Sequence, residues 1–190
     1  MRNRACRLAV LIAPILVLAA GIGALAQAPK HMEFSGTIND FTPASTGGPW
    51  EVRGHWSLTV NRWTGKAEFS AALTMERSDL GVMLNGGGDL NNPADRNAHT
   101  HHVTLTDGEV TTIPGGIQVT GTATVTGNGT VPPPFGSATS AATIDITGGN
   151  SVTFSNVALL FGGDAAKHFG SNPLHGVVRI AEYGDTPGRW

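Results

Sequence analysis

The sequence predicts an all-β protein, either a single antiparallel β-barrel built as a meander or a β-sandwich, with about 8–10 strands. Three observations predict this class. Apolar and polar residues alternate over short segments, Gly, Pro, Asn and Asp separate these segments, and apolar residues at helical spacing never extend beyond about two turns. Because turns recur at regular intervals, a meander is expected, and we favour the barrel over the sandwich.

The alternation of apolar and polar residues predicts the individual strands. A clear example is the pair of segments 50–60 and 67–76, which a short turn joins as a hairpin. The predicted strands are 32–38, 50–60, 67–76, 80–84, 99–106, 109–113, 117–126, 142–147, 152–161 and 174–180.

One turn signal sets an expected strand register. Asp107 and Gly108 separate two β segments, and this dipeptide accepts the positive φ angles of a two-residue hairpin turn. We therefore expect 99–106 to pair with 109–113, with Thr106 opposite Glu109. Two further segments, 85–97 and 127–137, are rich in Gly, Asn or Pro and are long enough to carry function.

The amino-terminal residues 1–26 have the features of a secretory signal peptide. Three arginines precede an apolar stretch from Leu8 to Ala20, and residues 24–26 are the small-Leu-small sequence that a signal peptidase accepts. An apolar stretch of about 13 residues is too short to span a bilayer, which requires roughly 20. We expect cleavage after Ala26, a secreted or periplasmic mature protein, and no transmembrane segment after cleavage.

The rest of the chain predicts one all-β domain over residues 27–180 and a weakly ordered tail over 181–190. No internal repeat or shift in composition suggests a second domain. The single cysteine, Cys6, lies in the predicted signal peptide, so the mature chain has no disulfide and no thiolate metal ligand.

Charge argues against a nucleic-acid partner. The mature chain keeps nine Lys and Arg residues against fourteen Asp and Glu residues, a net charge of −5. Its lysines, Lys30, Lys66 and Lys167, are far apart in the sequence, whereas a phosphate-binding surface needs clustered cations. We therefore expect a small-molecule partner. The sequence leaves the oligomeric state open.

Histidines form the densest group of coordinating side chains, at the start of the 99–106 strand. His99 and His101 alternate with Val103 and Leu105, which places both imidazoles on the inward face near an open end of the barrel. Residues two apart on a strand lie about 6.6–7 Å apart, so two imidazoles can converge on one metal ion.

Two ligands do not complete a metal site. We expect His168 or His175 to supply the next ligand, with Asp95, Asp164 and Glu109 as further candidates. Three such ligands and a water molecule support metal-assisted chemistry on a small molecule, and the candidate ions are zinc, copper, iron and manganese.

Candidate ligand-binding residues are Trp50, Trp56 and Asp95. The two tryptophans share one face of a strand, where they either line a ligand cavity or fill the core, and core filling is favoured. Asp95 lies in the Asn-rich segment before the histidines. The alternating oxygen donors from Asp89 to Asp95 lack the glycine and the glutamate of an EF-hand, so turn capping explains them better than calcium.

Other classes of protein fit less well. The chain has no Gly-x-Ser-x-Gly sequence, and Glu51, Glu68 and Glu76 fall on polar faces, which argues against a serine hydrolase and a glycosidase. Four Trp, one Tyr and seven Phe are too few for the aromatic girdles of an outer-membrane barrel.

The leading hypothesis is a secreted soluble β-barrel that binds a small ligand or metal at a histidine-lined open end. This hypothesis extends to metal-assisted or histidine-mediated acid–base catalysis, and the sequence does not decide whether the protein is an enzyme. The alternative is a non-catalytic carrier or surface module of the cell envelope, with histidines that only hydrogen-bond to the backbone or to water.

Overall fold

The computed structural model describes residues 30–46, 49–77, 98–128, 137–148 and 155–184. Within these ranges, eight antiparallel strands pair in chain order and β8 pairs back with β1, which closes a barrel. The predicted all-β class is confirmed, as a barrel rather than a sandwich. The strands are β1 (His31–Phe41), β2 (Trp50–Asn61), β3 (Lys66–Arg77), β4 (His99–Ile113), β5 (Gly116–Gly127), β6 (Thr139–Thr147), β7 (Asn156–Phe161) and β8 (Leu174–Gly184).

Alternation along the strands produces the core. In β3, every second residue from Ala67 to Met75 is buried, and the residues between them are exposed. Inward apolar residues from all eight strands pack together in the barrel interior; those with no exposed surface are Val52, Met75, Val103, Val119, Ala123, Val125, Ile144, Val157 and Leu159. Burial of each Val, Leu, Ile or Met side chain in this set stabilises the fold by about 1.5–3 kcal/mol, before the entropic cost of ordering it.

The predicted hairpin turn at Asp107 and Gly108 is wrong. β4 passes through this point without reversing, with one extra residue relative to both β3 and β5, which is a β-bulge. Asp107 has a φ of 61°, and the bulge turns Asp107 and Glu109 outward, where their carboxylates lie 3.4 and 2.5 Å from Nζ of Lys66.

The chain reverses instead at Pro114 and Gly115. Gly115 has a φ of 77°, and a proline followed by a glycine with positive φ is typical of a type II turn. A bulge and a hairpin turn can both require a residue with positive φ, so the Asp-Gly signal did not distinguish them. Thr106 and Glu109 therefore lie on the same strand and do not pair.

One end of the barrel is called the histidine end here. At this end β2 begins at Trp50, β3 ends at Arg77, β4 begins at His99 and β7 ends at Phe161. A short helix, α1 (Ala165–Phe169), follows β7 at this end.

Several predictions fall partly or wholly outside the described residues. These are the signal peptide, the strand at 80–84, the 85–97 segment with Asp95, most of the 127–137 segment and residues 152–154 of the strand at 152–161. β8 continues to Gly184, four residues into the expected tail, and 185–190 are not described. No helix in the part of the chain that the structure describes is long and apolar enough to cross a membrane.

Candidate metal centre

Three histidines from two elements converge at the histidine end. Nε2 of His168 lies 3.1 Å from Nε2 of His99 and 3.0 Å from Nε2 of His101. One ligand atom from each of the three rings lies within 4.8 Å of the others, as in a site that can hold a metal ion. His99, His101 and His168 are called the histidine triad below.

Strand β4 supplies the first two members. His99 and His101 lie two residues apart and point into the barrel, while His102, the next residue along the strand, points outward and is exposed. His101 has no exposed surface, and His99 is half-buried at the rim. The inward orientation predicted from the alternation is therefore confirmed, although the hairpin register used with it is wrong.

Helix α1 supplies the third member. Ala165 and Phe169 are buried, and Phe169 stacks on Phe161 with the ring centroids 4.5 Å apart. The backbone N–H of Ala165 donates a hydrogen bond to Oγ of Ser140 on β6. These contacts fix one face of the short helix on the barrel, and His168 extends from it to the two β4 histidines.

A backbone contact orients His101. Its Nδ1 lies 2.9 Å from the carbonyl oxygen of Thr126 on β5. Because a carbonyl oxygen only accepts, Nδ1 carries the hydrogen, and the neutral ring keeps its lone pair on Nε2, which faces the centre of the triad. Metal-binding histidines are commonly oriented by a hydrogen bond of this kind from the other ring nitrogen.

The surroundings favour uncharged imidazoles. Burial, together with a smaller repulsion from His99, lowers the pKa of His101 to about 4, although its hydrogen bond to Thr126 acts in the opposite direction. Burial also lowers the pKa of His168 to about 4, with repulsion from His101 and His99 added. Both rings are therefore neutral at pH 7, which is the form that binds a metal ion.

The spacing of the ring nitrogens resembles that of a metal site. Ligands on a tetrahedral ion with bonds of about 2.0–2.1 Å lie roughly 3.3 Å from one another. The two spacings at His168, 3.0 and 3.1 Å, are close to that value. A single hydrogen on Nε2 of His168 cannot form linear bonds to both neighbours, whereas one cation can accept lone pairs from all three rings.

Aromatic rings surround the triad. Trp50 contacts His99 edge to face with the ring centroids 5.0 Å apart, and lies 6.1 Å from His168. Phe169 lies 5.1 Å from the ring of His101. The guanidinium carbon of Arg77 lies over the Trp50 ring, 5.4 Å from its centroid. The predicted ligand-binding residue Trp50 is thus part of the wall around the histidines.

The structure does not bring His175 into the triad. Leu174 at the start of β8 faces the core, so His175 points outward, where its Nδ1 lies 2.9 Å from Oδ2 of Asp40. The carboxylates of Asp164 and Glu109, both candidate ligands from the sequence, contact lysines instead. Asp164 binds Lys167 at 2.6 Å, and Glu109 binds Lys66 at the bulge.

Trp56 is separated from the histidine end. It is 3 % exposed and stacks on Phe69 inside the core. Six residues along β2 correspond to about 20 Å, so Trp56 lies far from Trp50 and the triad. Its position agrees with core filling rather than with the lining of the metal centre.

Sequence reasoning missed Thr126 and Phe169. Thr126 acts through its backbone oxygen, which no side-chain pattern identifies. Phe169 follows His168 directly, in the segment that joins β7 to β8. A large apolar residue in this otherwise polar segment was the one feature of the sequence that could have indicated that the segment packs on the barrel.

Comparisons of the chain with protein-family models, with curated proteins and with solved structures give no match.

Proposed function

We propose that this protein is a secreted or periplasmic β-barrel that binds one divalent metal ion through the histidine triad and presents that ion to a small molecule. The convergence of three Nε2 atoms from β4 and α1 carries the proposal. The location rests on the predicted signal peptide in residues 1–26.

The environment of the triad supports metal binding over a purely structural role. Lowered pKa values keep His101 and His168 neutral, and Thr126 holds His101 with its lone pair directed at the other two rings. A cluster that served only to fill the rim would not require three ring nitrogens to converge on one point, whereas one cation can accept a lone pair from each of them.

An all-nitrogen ligand set narrows the choice of ion. Imidazole suits zinc, copper and iron, whereas manganese prefers oxygen ligands. Zinc and copper both suit imidazole ligands, and the spacings of 3.0 and 3.1 Å at His168 fall between the roughly 2.9 Å of ligands at 90° and the roughly 3.3 Å of ligands on a tetrahedral ion. Of the four candidate ions, manganese therefore fits least well.

Three protein ligands leave a coordination position for an outside molecule. Catalytic zinc sites commonly have three protein ligands and a bound water, and the ion lowers the pKa of that water to about 7. Acting as an enzyme, this protein would use such a water to attack a small polarised molecule. Acting as a carrier, it would bind the small molecule at the same position without reaction.

Elemental analysis of the protein, purified without a polyhistidine tag or chelating column, tests the proposal. We expect close to one zinc or copper ion per chain after reconstitution. The variants His101→Ala and His168→Ala should each lose the ion, because two remaining imidazoles bind weakly.

His102→Ala is the matched control, since it removes an exposed imidazole next to His101. This variant should keep the ion. Absence of metal from the folded wild-type protein after exposure to zinc and to copper would contradict the proposal, and would favour a non-catalytic envelope protein whose histidines are incidental.

A further inference from the structure

We infer that the open coordination position of the metal takes a small oxyanion, so that the ligand or substrate class is molecules with a carboxylate, carbonate or phosphate group. This inference rests on the proposed function, because it concerns the ion that the histidine triad would hold.

The charge of the triad is the first argument. A histidine binds a metal ion as a neutral imidazole, and no carboxylate from the described residues belongs to the group that can share an ion with the triad. A divalent ion bound there keeps its full charge of about +2, unlike an ion bound by thiolates or carboxylates. An anionic fourth ligand would neutralise part of this charge.

Three of the described acidic residues near the histidine end have other partners. Oδ2 of Asp40 accepts a hydrogen bond from the backbone N–H of His175, at 2.8 Å, and also contacts its ring. Asp164 pairs with Lys167, and Glu51 pairs with Arg53. These carboxylates therefore do not supply the missing negative charge.

The surroundings strengthen the attraction for an anion. The triad is bordered by the apolar rings of Trp50 and Phe169, and the attraction between charges increases as the local dielectric constant falls. An anion that reaches the metal would exchange water for a strong contact with the ion.

Within the part of the chain that the structure describes, the triad meets solvent at two of its three rings. His101 has no exposed surface, whereas His99 and His168 are half-buried, so the approach from solvent passes these two rings. A partly covered approach favours a small ligand that offers a single oxygen over a large one.

Substitution with Co²⁺ provides the test, because the visible absorption of Co²⁺ changes with its ligands. The Co²⁺ protein is titrated with acetate, bicarbonate and phosphate at constant ionic strength held with perchlorate, which coordinates weakly. Acetamide, which has nearly the shape of acetate and no charge, is the matched control. We expect a saturable spectral change with at least one oxyanion, and half-saturation by acetate at a concentration at least about tenfold below that of acetamide.

The three oxyanions distinguish the classes of ligand. A response to bicarbonate alone indicates a carbonate site, a response to acetate indicates carboxylates, and a response to phosphate indicates phosphorylated molecules; each supports the inference. An unchanged spectrum with all three oxyanions, or an equal response to acetate and acetamide, overturns it.

Failure of the proposed function gives a different result. If Co²⁺ does not bind, or binds equally well to His101→Ala, the triad is not the metal site, and the proposed function and this inference both fail. If Co²⁺ binds with the triad intact but ignores the oxyanions, only the inference fails.

Discussion

The histidine triad and the surface histidines show how one residue type takes two different roles in the same barrel. His101 and His168 are packed against aromatic rings, contact each other, and have lowered pKa values. His102 and His175 are exposed on the outer surface, and His175 pairs with a carboxylate. The role of each histidine therefore depends on the side of the strand or helix on which it lies, because that side decides its exposure to solvent and its neighbours.

Removal of the Phe169 ring, which packs α1 on the barrel, should have the largest effect on the stability of the protein and on metal binding at the triad. Phe169→Ala deletes a fully buried side chain that stacks on Phe161 and contacts His101, so we expect a loss of about 3–5 kcal/mol in the free energy of unfolding. Metal affinity should fall as well, because His168 loses its fixed position.

Urea denaturation and metal titration measure these two effects. Phe169→Leu is the conservative control and should keep most of the stability and the affinity, since it keeps most of the apolar volume. Wild-type metal affinity in a folded Phe169→Ala variant would show that α1 does not position the third ligand.

Removal of the metal should have the next largest effect. An ion that binds only the folded protein stabilises it by about 2.7 kcal/mol when its free concentration is 100 times the dissociation constant. A chelator should therefore lower the melting temperature of the wild-type protein and of His175→Ala by the same amount. It should leave that of His101→Ala unchanged, and an equal shift in all three proteins would place the ion elsewhere.

The pH dependence of stability in the metal-free protein should report the burial of His101 and His168. An unfolded histidine has a pKa of about 6.5, and the pKa values of His101 and His168 in the folded protein are lowered to about 4. As the pH falls from 6.5 towards 4, the unfolded chain binds protons that the folded chain does not, so the free energy of unfolding decreases.

Urea midpoints measured between pH 7 and pH 4.5 test this sign. The decrease with falling pH should be smaller in His168→Ala than in the wild-type protein, because the variant lacks one of the two buried rings. Identical pH profiles for wild type and His168→Ala would show that His168 is not kept neutral by burial.

Substitution of an outward histidine should have the smallest effect. His102→Ala changes an exposed position on β4, and such changes usually alter the free energy of unfolding by less than about 0.5 kcal/mol. Metal content should be unaffected. Urea denaturation and elemental analysis measure the free energy of unfolding and the metal content. A large loss of either one in His102→Ala would contradict the different roles assigned to His101 and His102.

The local sequence pattern was sufficient to predict the orientation of the histidines on β4, because alternation along the strand alone decided it. Alternation with Val103 and Leu105 placed His99 and His101 inward, because the period of a strand is two and the apolar residues must face the core. The same reasoning failed at Asp107, where a bulge and a turn share one backbone requirement and only pairing with both neighbouring strands selects the bulge.

By itself, the sequence determined the all-β class, the inward faces of the strands and the first two histidines of the triad. Tertiary structure alone decided that β8 closes the barrel on β1, and that His168 rather than His175 completes the triad. The physical reason is that His168 reaches β4 from 67 residues away, through the packing of Phe169 on Phe161. Contacts over such a separation depend on how the whole barrel closes and leave no periodic signal in the chain.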